Sequence, residues 1–260
     1  MKIKIENNWP VRLAALIQRE IVRFVRVVYQ TIIPPLISAF LYLLIFGVFI
    51  GEKVGPVNDH SYLAFLIPGL ILMDVINGSY QNSVATLFIA KWLKHIHEVL
   101  VSPVSYFEMT LAYLIGGIVR AFILAICIYA LAGFFGGFAI KHPLWACYWI
   151  VMVSAFFASL GLAIALWAKD WEQLEFLPSF ILTPMSFLGG VFYSIHMLPP
   201  VMQTITRLNP LFYCFDFFRW SMIGYSEGNL VLSFVIVTAL AISAVCGITY
   251  LFKSGYQLRS

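Results

Sequence analysis

"LFYCFDFFRWSMIG", residues 211–224, decides how this chain folds, because it is apolar enough for a membrane helix and too short to be one. Its 14 residues rise about 21 Å as an α-helix, against a bilayer hydrocarbon core about 30 Å thick. It also holds Asp216 and Arg219, whose i,i+3 spacing lets them pair on one helix face. The segment therefore reads as a short interfacial or re-entrant helix and not as a span.

Six other runs are long enough to cross, at about 31–51, 62–87, 107–135, 144–168, 174–193 and 230–252. The second and third are long enough to tilt or to extend beyond the bilayer. Pro178 and Pro184 should kink the fifth. With six spans and both ends inside, the cytoplasmic side holds Lys2, Lys4, Arg12, Arg19, Arg23, Arg26, Lys91, Lys94, Lys169, Lys253 and Arg259. The outer side holds Lys53, Lys141, Arg207 and Arg219, and Arg120 lies within the third span. Eleven cations against four follow the positive-inside rule with cytoplasmic termini, and counting 211–224 as a seventh span would weaken it.

Composition agrees. Of 260 residues, 62% are hydrophobic and 11% charged, against about 25% charged in soluble domains. The expectation is an all-α polytopic membrane protein of one domain, residues 1–260, with no nucleic-acid partner. Cys127, Cys147, Cys214 and Cys246 all lie in apolar stretches without a C-x-x-C pair, so packing is their expected role. The first apolar run follows a charge-rich stretch without a small-residue cleavage site, so no signal peptide is expected.

Residues 10–29, "PVRLAALIQREIVRFVRVVY", place Arg12, Arg19, Arg23 and Arg26 near one helical face and Leu13, Leu16, Ile17, Phe24 and Val28 toward the other. This pattern predicts a basic amphipathic helix lying along the cytoplasmic membrane surface. In the second span Asp74, Asn77, Gly78 and Gln81 form one polar stripe at i, i+3, i+4, i+7. Lipid exposure would be costly, so the stripe should face the bundle, a pathway or a subunit seam. Arg120 either pairs with Asp74 or snorkels. In the fourth span Ala155, Ser159 and Ala163 make a ladder of small residues that permits close helix packing.

Enzyme signatures are scarce. The sequence has no G-x-x-x-x-G-K-[ST], H-E-x-x-H or G-x-S-x-G. His95 and His97 are two residues apart and make a poor metal pair on a helix. The loop "AKWLKHIHEVLVSPVS", residues 90–105, puts Lys91, Lys94, His95 and Glu98 on one helical face and Trp92, Ile96 and Val99 on another. Its polar face either rests in water or docks a cytoplasmic partner.

Four stretches carry a family resemblance: "FLIPGL" (65–70), "LVSPVS" (100–105), "LTPMSFLGGVFYSIHMLPP" (182–200) and "RLNPLFY" (207–213). In this order and length, the chain resembles the ABC-2-type permeases of ABC transporters, small bacterial inner-membrane exporter subunits encoded beside a separate ATPase. The resemblance implies a homodimer bound to two copies of that ATPase, which would hold ATP and Mg, so this chain needs no cofactor and is not itself an enzyme. It implies a coupling segment in the 90–105 loop, carried by Lys91, Lys94, His95, Glu98, Leu100 and Pro103. It makes 10–29 the connecting helix. It also implies re-entrant outer gate helices over 189–224, with Gly189, Gly190, Phe192, Tyr193, Pro199 and Pro200 at the gate. Non-helical backbone survives at membrane depth when buried in protein; glycine permits unusual angles there, and proline can open the next helix. The competing expectation is an ion-coupled secondary transporter with Asp74 as proton carrier, and its weakness is that the six spans show no internal repeat. Substrate identity does not follow from the resemblance.

Overall fold

The computed structural model describes residues 9–57, 60–94 and 104–255. Among these residues it is helical throughout, with a single isolated bridge between Val57 and His60 in place of any strand. Helix α1 (Trp9–Arg26) leads into α2 (Val28–Tyr42), which continues as a π-helix over Leu43–Ile50 and a last turn, α3 (Gly51–Val54). There follow α4 (Tyr62–Trp92), α5 (Tyr106–Gly133) and α6 (Pro143–Trp167). A broken helix comes next: α7 (Trp171–Leu177), a π-helix over Pro178–Leu182, and α8 (Thr183–Leu188). The short helices α9 (Pro200–Leu208) and α10 (Pro210–Ile223) precede the last long one, α11 (Leu230–Ser254).

The long helices begin where the sequence supplies caps. Ser61 accepts from the Ala64 N–H, Ser105 and Glu108 form a reciprocal capping box, and Asn229 accepts from Val231 and Leu232. Among the described residues five helices are long and apolar enough to cross a membrane: Val28–Ile50, Tyr62–Trp92, Tyr106–Gly133, Pro143–Trp167 and Leu230–Ser254. The expected fifth span, 174–193, is helical as far as Leu188, passes through a π-helix on the way, and is not among these five. Its irregularity falls at Pro178, which has no N–H to continue the α-pattern, and its helix stops at Leu188 ahead of Gly189.

Helix α4 is the buried centre of the molecule, with α5 and α6 packed along it, whereas Val28–Ile50 and α11 are exposed over most of their surface. Close approach rests on missing side chains. A Cβ on Gly161 would stand 2.7 Å from the Tyr80 carbonyl oxygen. On Gly117 it would stand 3.3 Å from both the Ala158 Cβ and the Ser83 hydroxyl. Of the expected ladder, Ala155 and Ser159 are buried and Ala163 is half-buried, but the tightest contact of α6 with α4 is at Gly161.

The amphipathic helix forms over nearly its predicted length, but its arginines are not all turned to water. Arg12 pairs with Glu108 at 3.1 Å. Arg23 reaches Glu20 at 3.3 Å, Asn82 at 3.3 Å, and the Thr86 hydroxyl. Glu20 itself is buried where Gly116 leaves room for it. The basic face of α1 is thus partly an internal contact with α4 and α5, because those helices present acceptors level with it.

Gly161→Ala should cost about 1–3 kcal/mol through the overpacked α4–α6 contact and lower the thermal unfolding midpoint in detergent. Gly247→Ala, with nothing within 4 Å of its added Cβ, should leave the midpoint unchanged or slightly higher.

Candidate functional site

The polar stripe of α4 opens onto a cleft. Asp74, Asn77, Gly78 and Gln81 share a cavity of about 370 Å³ with Pro34, Pro35 and Ser38 of α2, Arg120 of α5, and Glu175, Pro178, Ser179 and Thr183 of the broken helix. A second cavity of about 320 Å³ shares Pro34, Pro35, Gln81, Arg120 and Glu175 with the first and extends past Tyr80 to Trp171. Together they make one polar cleft walled by α2, α4 and α7–α8, with Arg120 at its back. Gln81, Glu175, Ser179 and Thr183 are exposed, so the cleft opens to the outside of the chain. Asp74 and Arg120 form no ion pair among the described residues. Arg120 instead donates to the Thr31 carbonyl at 3.4 Å. That carbonyl is free because Pro35, four residues on, has no N–H to give it. The same logic operates across the cleft, where Tyr80 donates at 2.9 Å to the carbonyl of Leu174, four residues before Pro178.

One end of the helix body is closed by the turn after α8. Gly189 packs so tightly that a Cβ would stand 2.9 Å from the Phe215 ring, and Gly190 has φ +84°, a region that favours glycine. The turn lies on α4 at Gly69, where a Cβ would meet the Val191 carbonyl oxygen at 2.9 Å. Tyr62 donates to the Phe192 carbonyl at 2.7 Å, and the Phe192 ring lies 4.9 Å from Phe46 and 5.2 Å from Phe187. Tyr193 is half-buried and Pro199 and Pro200 are exposed, with Pro200 opening α9. The expected gate residues thus form a buried turn followed by an exposed helix start.

Asp216 and Arg219 do not pair, contrary to the i,i+3 expectation; each finds distant backbone instead. The Arg219 guanidinium, fully buried, donates to the Gly190 carbonyl at 2.6 Å and the Phe65 carbonyl at 3.3 Å, and lies 3.8 Å over the Phe65 ring. The Asp216 carboxylate accepts from the Glu227 N–H at 2.6 Å, the Gly228 N–H at 3.2 Å and the Ser226 hydroxyl at 2.8 Å. The spacing showed that the pair could meet; it carried no sign of the backbone groups that reach these two side chains first.

At the other end of the chain's long helices, Lys91 turns inward. Its amine donates to the Leu166 and Ala165 carbonyls at 2.6 and 2.9 Å, capping the C-terminal end of α6. Lys94 is exposed with φ +58°, where the chain leaves α4. His95, Glu98, Leu100 and Pro103 lie outside the described residues. Glu175 and Arg120 are the cleft residues that the stripe alone did not point to as a set; the one signal was a guanidinium within an apolar span, since Glu175 shares its short helix with Glu172 and Gln173.

A body of long apolar helices that keeps a polar, partly charged cleft among them is the layout of a membrane transport protein. The family model described as "ABC-2 type transporter" matches residues 11–223. The chain is 35% identical over 250 residues to "Inner membrane transport permease YadH" of Escherichia coli (strain K12), covering 96% of this chain and 98% of the relative. It is 27% identical over 218 residues to "Nodulation protein J" of Rhizobium meliloti (strain 1021), covering 84% and 82%. The chain belongs to the ABC-2 type transporter family.

Arg219→Met should strand the Gly190 and Phe65 carbonyls, at about 1–3 kcal/mol for each unpaired buried group. A cysteine placed at Val191, buried in the parent, should then react with maleimide about tenfold faster or more. Arg219→Lys, which can keep one of the bonds, should fall between.

Proposed function

We propose that this chain is the membrane-spanning permease subunit of an ATP-driven exporter, working as a homodimer with two copies of a separate ATPase that binds ATP and Mg. The observation that carries the reading is the cleft itself: a charged cavity walled by α2, α4 and α7–α8 in a chain of this family. Exposed apolar residues flank both sides of it, among them Ile33 and Ile37 on α2 and Phe176 and Phe180 on the broken helix. A second copy facing the cleft would close it off from lipid and leave them lining the space between the two chains. The relative named an inner membrane transport permease supports placement in a bacterial inner membrane.

In this reading the chain is a single permease domain in which the run Trp171–Leu188 is the fifth of six spans and both termini are cytoplasmic. Helices α9 and α10 are the two arms of a re-entrant outer gate. Two contacts support that placement. Asn209, at the start of α10, donates to the Met185 carbonyl at 2.6 Å, and Trp149, six residues into α6, donates to the Cys214 carbonyl at 2.8 Å. The beginning of α10 therefore lies deeper than its end, where Lys141 and His142 bond the carbonyls of Met222 and Ser221. The 90–105 loop is the coupling segment, with Lys91 fixing the end of α6 beside it and Lys94, His95, Glu98, Leu100 and Pro103 toward the ATPase. The cargo is an amphiphile of the drug, lipid or glycan type.

Co-expressed with its ATPase and reconstituted, the pair should co-purify and couple ATP hydrolysis to transport. Glu98→Lys should abolish that coupling while leaving membrane insertion intact. Transport that persists without the ATPase and collapses with the proton gradient would sink the proposal.

A further inference from the structure

The cleft holds charges that the protein does not use. Arg120 is only 6% exposed, yet among the described residues its hydrogen bonding is the 3.4 Å contact to Thr31, and its Nε is buried without a partner there. No carboxylate lies within ion-pair distance of it among the described residues. The neighbouring Arg23 is already taken up by Glu20, Asn82 and Thr86. Asp74 and Glu175 line the same cavity and make no hydrogen bond or ion pair among the described residues. Asn77 spends its amide on the Met73 carbonyl, which leaves its oxygen as an acceptor. One cleft therefore presents a cation and two carboxylates that do not neutralise one another.

Opposite charges held apart in a membrane-embedded cavity suit a ligand that carries both signs. A purely anionic ligand would meet Asp74 and Glu175, and a purely cationic one would meet Arg120. A ligand with both satisfies all three groups, and charge-assisted hydrogen bonds are the strong ones. The walls add a preference for a tail, since Phe176, Phe180 and Ile33 lie exposed beside the polar lining. We propose that the cleft binds a zwitterionic amphiphile, with a phosphate-type oxyanion at Arg120, an ammonium group at Asp74 and Glu175, and an apolar tail along α2 and the broken helix. The proposal rests on the cleft being the permease's pathway and names the chemistry of its cargo.

The test uses the full chain purified in neutral detergent, without ATP or ATPase, so its outcome is independent of whether coupling is seen. Binding of a fluorescent short-chain phosphatidylethanolamine is measured, with phosphatidylglycerol, dodecyltrimethylammonium and free O-phosphoethanolamine as competitors. Phosphatidylethanolamine should bind about tenfold tighter than any of the three. Arg120→Met should lower its affinity to that of the alkylammonium, with Arg120→Lys restoring part of it. Glu175→Gln, at an exposed position that burdens folding little, should weaken phosphatidylethanolamine and spare phosphatidylglycerol; adding Asp74→Asn should bring the two lipids level. Equal binding of both lipids by the parent, or no response to Glu175→Gln, overturns the proposal. Competition by O-phosphoethanolamine as strong as by the lipid overturns the amphiphile and leaves a free phosphate site.

Discussion

A backbone carbonyl released from its helix at membrane depth must find a donor inside the protein, because hydrocarbon offers none. Several long polar side chains of this chain answer that constraint. Arg120 serves the Thr31 carbonyl freed by Pro35, and Tyr80 the Leu174 carbonyl freed by Pro178. Arg219 serves Gly190 in a turn where no helix continues, and Tyr62 serves Phe192 in the same turn. Lys91 closes the last turn of α6. Breaks in the helices and buried donors occur together because neither is stable without the other.

The same accounting separates polar groups that hold the fold from those left over. Arg219 and Asp216 are buried and well partnered, so their charges are spent on the cap formed by α10 and the turn at Gly190. Arg23 and Glu20 are spent on seating α1. Arg120 is spent only in part, and Asp74 and Glu175 not at all among the described residues. These three charged side chains line one cleft.

Much of this was legible in sequence, for reasons of periodicity. The α4 stripe sits on one face because i, i+3, i+4, i+7 is the helical repeat, and the structure turns that face to the cleft. The break after Leu188 follows from two glycines and was visible as such. Pro178 marked the irregularity but gave no hint that the helix would pass through a π-turn. The partners of Asp216 and Arg219 were not legible, since a carbonyl near residue 190 and amides near residue 227 leave no trace in local spacing. The inward turn of Arg12 and Arg23 was hidden likewise: an amphipathic repeat identifies two faces, and acceptors on α4 and α5 decide which one water keeps. Lys91 looked like part of a polar docking face, yet the orphan carbonyls of α6 lie closer to it than solvent does.

The distribution of these bonds also constrains where the molecule can yield. Arg219 ties α10 to the turn at Gly190 and to the start of α4, and Asp216 ties α10 to the loop that leads into α11. Moving α10 alone would strand a buried guanidinium and a buried carboxylate together, each costly without its partners. Helix α10, the turn at Gly190 and the loop into α11 are therefore held together as one body. The cleft walls are different. The wall formed by α7 and α8 contains a π-helix, Pro178–Leu182, where the regular bonding is already interrupted, whereas the π-helix Leu43–Ile50 lies past the cleft and packs on the turn through Phe46 and Phe192. Neither is crossed by the Arg219 and Asp216 bonds. Pro178 and Ser179 line the cleft, so bending at that π-helix would change the width of the cleft while the Arg219 and Asp216 ties of α10 stay in place.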